Sequence, residues 1–154
     1  RQEYFTAFEN VEISTDERGC LWIFAPLIHP EILQTNDIVE LKDSVQFKFL
    51  GRIDNVINSG GLKIQPEELE SLAKNNLQNE VVLAGVPEEK LGQKLVMIVE
   101  AEKSSVLQMK IEEILIDITE TFSKNHQPRE IIFLKEIPRL PNGKIDRRSI
   151  NASL

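Results

Sequence analysis

Apolar and polar residues alternate over short stretches in the first third of the chain, which predicts β-strands with one buried face. Cys20–Phe24 is a continuous apolar run and predicts a more deeply buried strand. Further strands are predicted at 38–41 and 45–50, with a loop over 34–37 before them and a turn over 42–44 between them.

Beyond residue 65 the apolar residues recur at the spacing of amphipathic helices, alternating with apolar strands. Helices are predicted at Pro66–Leu77 and 109–123, and strands at 80–86, 94–101 and Glu130–Leu134. This order predicts an α+β fold in which helices cover one face of a small sheet. The residues before 34 are too few to bury a core alone, and we expect them to belong to a preceding domain.

Composition narrows the class of protein. The 154 residues are 41% hydrophobic and 28% charged, which is typical of a soluble globular domain. The net charge of −7 argues against nucleic acid as a partner. No apolar run approaches the ~18 residues of a membrane span. A single cysteine, Cys20, excludes an internal disulfide and a zinc cluster, and we expect a cytoplasmic protein.

The chain begins with Arg1 and not with methionine. We therefore expect it to be a part of a longer protein. The bulk properties alone do not identify its activity.

The segment 51–68 concentrates the candidate chemistry. Ser59, Gly60 and Gly61 form a turn in which either glycine can adopt a positive φ or let a ligand approach the backbone. Pro66 suits the first turn of a helix, and the glutamates at 67, 68 and 70 place negative charge near its positive end. Local signals alone predict a hairpin that leads into a helix.

Two further candidates have ordinary alternatives. Asp37 is either a turn aspartate bonded to its own backbone or an acceptor for two adjacent hydroxyls such as those of ribose; the local pattern favours the turn. Lys144 follows the turn Pro141-Asn142-Gly143, from which a lysine can reach a phosphate or a carboxylate. A solvated surface turn is the alternative, and this run alone favours it.

Together and in this order, Asn36-Asp37, the segment 51–70 and the run 141–147 resemble the C-terminal domain of adenylate-forming acyl-CoA synthetases. The resemblance covers residues 35–150. Within the family, Asp54-Asn55 and the segment 59–68 look most like the o-succinylbenzoate–CoA ligases of menaquinone synthesis, and His126-Gln127-Pro128 also fits.

The resemblance implies roles for single residues around the nucleotide. Asp37 is expected to bind the ribose hydroxyls of ATP or AMP, with Arg52 against the same nucleotide. Lys144 is expected to act in the first, adenylate-forming step. The family's usual Thr-Gly-Asp is Thr35-Asn36-Asp37 here, so we expect the backbone at Asn36 to differ.

The resemblance also implies a moving domain. Asp54 is expected to be the hinge on which the C-terminal domain swings. Ser59, Gly60 and Gly61 match the loop that lines the pantetheine tunnel in the second step. The implied division is 1–50, the β-rich end of the N-terminal adenylation domain, and 51–154, the mobile C-terminal lid.

The implied activity is that of an ATP-dependent acid–CoA ligase acting on a small-molecule carboxylate, with ATP and Mg²⁺ held mainly by the chain's own N-terminal domain and CoA as co-substrate. No metal site is predicted in these residues. The phosphate loop, the acyl pocket and the aromatic ATP-binding motif are absent, so this segment is not expected to be active alone. Another acyl-CoA or carrier-protein ligase, or a non-catalytic module of the same fold, remains as an alternative.

Overall fold

A computed structural model describes residues 4–154. The chain divides into two compact units, Arg1–Val56 and Ile57–Leu154. Arg1, on which the expectation of a longer protein rests, lies outside the described residues, as does the start of the predicted segment 1–50.

The first unit is a five-stranded antiparallel sheet with the strand order β1-β5-β4-β3-β2. Its strands are β1 Phe5–Thr6, β2 Glu12–Thr15, β3 Cys20–Phe24, β4 Leu33–Leu41 and β5 Gln46–Arg52. Alternate side chains on one face form a small core of Ile13, Leu21 and Val39. The predicted strand at Cys20–Phe24 is confirmed, and the predicted turn 42–44 does separate β4 from β5.

The predicted loop over 34–37 is wrong, because these residues belong to β4. Asp37 pairs in register with Arg52 of β5, and the Thr35 hydroxyl donates a hydrogen bond of 2.7 Å to the carbonyl of Leu21 on β3. The register shifts between Ile38 and Val39, which accommodates the polar segment in the sheet. Pairing with strands on both sides therefore overrides the local turn propensity.

The second unit is a mixed sheet with helices packed on both faces. Its strands are β6 Ile57–Ser59, β7 Leu62–Ile64, β8 Val81–Glu88, β9 Gly92–Glu100 and β10 Glu130–Leu134, and its helices are α1 Pro66–Leu77, α2 Ser105–Thr121 and α3 Arg147–Ser153. Strand β9 pairs antiparallel with β8 and parallel with β10, while the β6–β7 hairpin joins it through Ser59 and Gly92.

Period-two alternation along β8 and β9 produces a core on each face of the sheet. Helices α1 and α2 cover one face through Leu69, Ala73, Ile111, Ile114 and Ile118, which pack on Leu83, Met97 and Val99. On the other face, Ile150 of α3 and Ile137 pack on Val82, Ala84, Val96 and Ile98. The predicted α+β class is confirmed, and α1 and α2 cover one face as predicted, but the packing of α3 on the other face was not predicted.

Some element ends differ from the prediction. Strand β8 continues through Gly85 and Pro87, where an end was predicted. Gly85 allows close approach, since a Cβ there would lie 2.8 Å from the Ile57 Cγ2. Pro87 is tolerated because β8 is an edge strand, which within residues 4–154 pairs with β9 alone.

Helix α2 begins at Ser105, four residues before the predicted start at 109, because Ser104 caps it by accepting a hydrogen bond from the Leu107 amide. It ends at Thr121, whereas 123 was predicted. No helix of residues 4–154 is both long enough and apolar enough to cross a membrane.

Helix α2 offers a matched test of this packing. Ile114 is fully buried between the helices and the sheet, whereas Ile116 is 57% exposed. We expect Ile114→Ala to lower the free energy of unfolding by about 2–5 kcal/mol, since it leaves a cavity. Ile116→Ala should change it by less than about 0.5 kcal/mol. Urea unfolding of the whole chain followed by circular dichroism measures both; equal losses would contradict this packing.

Candidate functional site

Polar side chains converge where β4 and β5 meet. The Arg52 Nη1 lies 3.5 Å from the Asp37 Oδ1, and its Nη2 lies 3.2 Å from the Asp54 Oδ2. The three side chains are 49%, 37% and 57% exposed, so the cluster is open to solvent. It presents a guanidinium donor beside a carboxylate acceptor, which suits a polar ligand that carries hydroxyl groups.

The turn interpretation of Asp37 does not hold. Asp37 lies within β4, its amide donates to the Thr35 hydroxyl at 3.1 Å, and its carboxylate faces Arg52 on the neighbouring strand. The ion pair between exposed groups contributes little to stability, so this pair is more important for orienting the two side chains than for holding the sheet together.

Asn36 extends the cluster to residues that the sequence did not indicate. Its Nδ2 donates to the Asp54 Oδ2 at 3.1 Å, and its Oδ1 accepts from the Arg18 Nη1 at 3.3 Å. Arg18 in turn donates to Asp16, and this hydrogen bond holds the pKa of the Asp16 carboxyl below its usual value. Asp16 and Arg18 lie in a hairpin turn, and no local signal connects that turn with Asn36.

Asn36 takes the place of the glycine that the resemblance leads one to expect. It lies in the strand β4, so no glycine-specific backbone conformation is required here. Its side chain connects the Asp16–Arg18 turn with Asp54, a link that glycine does not provide.

Asp54 lies in a single 3₁₀ turn, Ile53–Asn55, that follows β5. The turn stands at the end of the first unit, immediately before β6 begins the second. Hinges in proteins are commonly short segments at the ends of elements.

The Gly60-Gly61 turn connects β6 with β7. Gly60 has φ +59° and Gly61 has φ +82°, both in the left-handed region that favours glycine. The Gly60 amide donates to the Leu91 carbonyl at 2.9 Å, which fixes the tip of this hairpin to the loop between β8 and β9.

This hairpin lines a cleft of about 560 Å³ in the second unit. Ser59 and Gly60 form one part of its wall, and Lys124 and Arg129 add positive charge. The chain as a whole carries a net charge of −7, so a cleft lined by cations is unlike the average surface. It suits a ligand that carries anionic groups.

Gln127 and Pro128, which follow His126, belong to the same cleft wall. The Gln127 Nε2 donates to the Leu115 carbonyl at 2.8 Å and to the Thr119 hydroxyl at 2.7 Å. Both acceptors belong to α2, so this wall is held by a helix and not by a free loop. Partial burial lowers the pKa of His126, whose Nδ1 lies 2.8 Å from the Ser123 hydroxyl.

Lys144 lies on a different hairpin of the second unit. The Leu140 amide donates to the Lys144 carbonyl at 2.7 Å, and Gly143, with φ +82°, completes the predicted turn. The Lys144 amide donates to the Asn142 Oδ1 at 3.1 Å. The side chain is exposed and forms no ion pair with any residue in the described range 4–154. The ammonium group is therefore available to an anionic ligand.

The structure thus brings Asp37, Arg52 and Asp54 together in one cluster and places Ser59, Gly60 and Gly61 in another. Lys144 lies on a separate hairpin of the second unit. Within residues 4–154, no group of His, Cys, Asp or Glu side chains is arranged to hold a metal ion.

Comparison with known proteins gives relatives that are longer than this chain. It is 30% identical over 142 residues to the 2-succinylbenzoate–CoA ligase of Lactococcus lactis, a match that covers 86% of this chain and 30% of the relative. It is 34% identical over 112 residues to the D-alanine–D-alanyl carrier protein ligase of Bacillus licheniformis, covering 71% of this chain and 22% of that protein. No protein-family model matches the chain.

Among solved structures, the acyl-CoA synthetase (AMP-forming)/AMP-acid ligase II-like protein of Dyadobacter fermentans is similar to this chain. The two are 32% identical with a TM-score of 0.55, over 96% of this chain and 43% of the other. These three are thus an acid–CoA ligase, a carrier-protein ligase and an AMP-forming acyl-CoA synthetase, and the chain spans less than half the length of each.

Substitution at the diglycine turn tests the geometry of the cleft wall. We expect Gly60→Ala to lower the free energy of unfolding by about 1–2 kcal/mol, because an L-residue is strained at this positive φ. Its Cβ would also lie 3.1 Å from the Leu91 Cδ2, whereas a Cβ at Gly61 would meet nothing within 4 Å. Gly61→Ala is strained as well, at φ +82°, but lacks this contact and is the matched control for it. Urea unfolding measures both variants, and no loss at either position would contradict this geometry.

Proposed function

We propose that this chain is the C-terminal part of an AMP-forming acid–CoA ligase, the family of the relatives described above. The observation that carries the proposal is Lys144, an exposed lysine without an ion partner among residues 4–154, held at the tip of a hydrogen-bonded hairpin. The whole enzyme joins a small-molecule carboxylate to CoA in two steps and uses ATP. Its own N-terminal domain supplies the acyl pocket and most of the ATP and Mg²⁺ site.

In the first step, a carboxylate oxygen of the substrate bonds to the α-phosphorus of ATP. The bond from that phosphorus to the bridging oxygen breaks, and pyrophosphate leaves. Lys144 lies between the two anions and offsets their repulsion, a contribution of about 3–4 kcal/mol for one well-placed donor in a preorganised site. Its hairpin limits the positions that the ammonium group samples.

Asp37 and Arg52 hold the nucleotide in this proposal. The Asp37 carboxylate accepts hydrogen bonds from the ribose hydroxyls, and Arg52, 3.5 Å away, orients the carboxylate and faces the same nucleotide. Their moderate exposure supports this role, since both groups are accessible to a ligand. Mg²⁺ bound together with ATP would neutralise part of the charge on the phosphates.

In the second step, the CoA thiol attacks the acyl carbonyl of the adenylate, the thioester forms and AMP leaves. The C-terminal domain swings at Asp54, withdraws Lys144 and presents the Ser59-Gly60-Gly61 hairpin. Gly60 lines the cleft, and the absence of a side chain there leaves room for the thin pantetheine arm. One domain thereby serves both half-reactions.

The narrower proposal is an o-succinylbenzoate–CoA ligase of menaquinone synthesis in the cytoplasm. It is supported by the match to the Lactococcus protein, which covers 86% of this chain. A carrier-protein ligase is the second candidate, supported by the identity to the D-alanyl carrier protein ligase. An acceptor assay on the full-length enzyme separates them, because only one of CoA and a phosphopantetheinylated carrier protein should discharge the adenylate.

Replacing the lysine tests the first step. In the full-length enzyme, we expect Lys144→Ala to slow adenylate formation by about 100- to 1,000-fold, since one preorganised charge is lost. Thioester formation from preformed adenylate and CoA should change little. Rapid-quench measurement of each half-reaction gives both rates.

The matched control is Lys135→Ala, which removes a similarly exposed lysine from the loop after β10. It should leave both half-reactions unchanged. An equal loss of both half-reactions in Lys144→Ala would contradict the proposed role. Full activity of that variant would show that Lys144 has no part in either half-reaction.

Asp37→Asn tests nucleotide binding. We expect the KM for ATP to rise about tenfold or more, because a charge-assisted hydrogen bond to a hydroxyl is weakened. Glu40→Gln removes a charge from the same strand without touching the cluster and is the control. Steady-state kinetics over a range of ATP concentrations measures the change. An unchanged ATP dependence in Asp37→Asn would show that this carboxylate does not meet the nucleotide.

A further inference from the structure

Glu70 is a buried carboxylate on a helix that otherwise buries apolar residues. It is 5% exposed, and among the described residues it is the charged side chain in the buried class. Its position on α1 lies between Pro66 and Ala73, on the stripe that faces the sheet. A carboxylate in such surroundings requires partners, because burying an unpaired charge is strongly unfavourable.

Arg147, 77 residues later in the chain, supplies the partner. Its Nη2 lies 2.8 Å from both carboxylate oxygens of Glu70. The backbone of Leu83 completes the arrangement, since its amide donates to the Glu70 Oε1 at 2.8 Å and its carbonyl accepts from the Arg147 Nη1 at 3.1 Å. A helix, a sheet strand and the start of α3 are thus connected by four hydrogen bonds.

These hydrogen bonds lie close to the Lys144 hairpin along the chain. Arg147 is the first residue of α3 and follows Lys144 by three positions, a separation of at most about 11 Å along the chain. The Asp146 amide donates to the Pro138 carbonyl at 2.9 Å and closes the hairpin at the same end. A displacement of Arg147 is therefore transmitted to Lys144 through a short, hydrogen-bonded segment.

The other strand of the hairpin is fixed separately. The Ile137 amide donates to the Glu100 Oε2 at 2.8 Å, and the Arg139 Nη2 lies 3.2 Å from the same oxygen. Glu100 ends β9, so the entry to the hairpin is tied to the sheet by one glutamate and its exit by another. Loss of Glu70 or Arg147 removes the side-chain anchor of the exit and leaves that of the entry in place.

We propose that Glu70 and Arg147 are positioning residues that hold Lys144 where it meets the reacting anions in the adenylate-forming step. The inference rests on the proposed function of Lys144. It assigns the pair a role in one half-reaction and not merely in the stability of the fold. Neither residue touches the substrate; both act through the hairpin.

The experiment compares half-reactions in the full-length enzyme. We expect Arg147→Gln to slow adenylate formation by about 100-fold, as a misplaced catalytic group does, while thioester formation from preformed adenylate is retained. Glu70→Gln keeps an acceptor for the Leu83 amide and should show the same selectivity with a smaller loss. Arg148→Gln removes the exposed neighbouring cation and should change neither step.

A double-substitution cycle separates positioning from a purely structural role. In the Lys144→Ala background, Arg147→Gln should alter the remaining adenylation rate by no more than about twofold, because its effect is exerted through the lysine. A full additional loss in that background, or an equal loss of both half-reactions, would overturn the inference. The inference would also be overturned if the variants at both positions were unfolded under conditions in which the wild-type enzyme is folded.

The outcomes also distinguish this inference from the proposed function. If Lys144→Ala itself leaves adenylate formation intact, the proposed function fails. If Lys144→Ala is selective for adenylation and Arg147→Gln is not, only the positioning role of the pair fails.

Discussion

The second unit is organised around the Glu70 carboxylate, whose burial would be unfavourable without the guanidinium of Arg147. Burial raises the pKa of Glu70, while the positive charge of Arg147 and the Leu83 amide act in the opposite direction. Removing either partner of such a pair is expected to cost about 3–5 kcal/mol, because an uncompensated charge is left in the core. The apolar contacts of α1 and α2 hold their face of the sheet without the pair. Helix α3 has only seven residues and one buried side chain, Ile150, so it depends on the pair for its place on the other face.

In the second unit, the candidate residues lie on short hairpins that the sheet supports. The diglycine turn and the Lys144 turn project from the same unit, and each is fixed by backbone hydrogen bonds at its base. Glycines at positive φ allow the tight turns, while the strands and helices behind them set their direction. A domain with distinct functional hairpins can serve successive steps if it reorients as a body, which is the proposed function of this chain.

The sequence predicted the elements whose signals are local. Helix α1 and strand β10 have the predicted bounds, since Pro66 begins the helix and an uninterrupted apolar run forms the strand. The start of α2 was placed too late, because the predicted bounds followed the apolar stripe and not the capping Ser104. The loop predicted over 34–37 was wrong because its polar residues are paired on both sides, which depends on distant strands.

Long-range polar contacts were the part of the site that sequence reasoning missed. Glu70 was interpreted as one of the acidic residues near the helix start, although its spacing from Pro66 and Ala73 places it on the buried stripe. That spacing was the available signal, but the sequence offered no means to pair it with Arg147. The Arg18–Asn36–Asp54 contacts likewise join a turn, a strand and a 3₁₀ turn that are separated along the chain.

The central claim, that this chain is part of an AMP-forming ligase, is tested most directly by exchange of labelled pyrophosphate into ATP. The full-length enzyme is incubated with ATP, Mg²⁺ and o-succinylbenzoate or a series of fatty and aromatic acids. We expect exchange that depends on the acid, and release of AMP when CoA or a carrier protein is added. Release of ADP and phosphate, or absence of acid-dependent exchange from the folded enzyme, would contradict it.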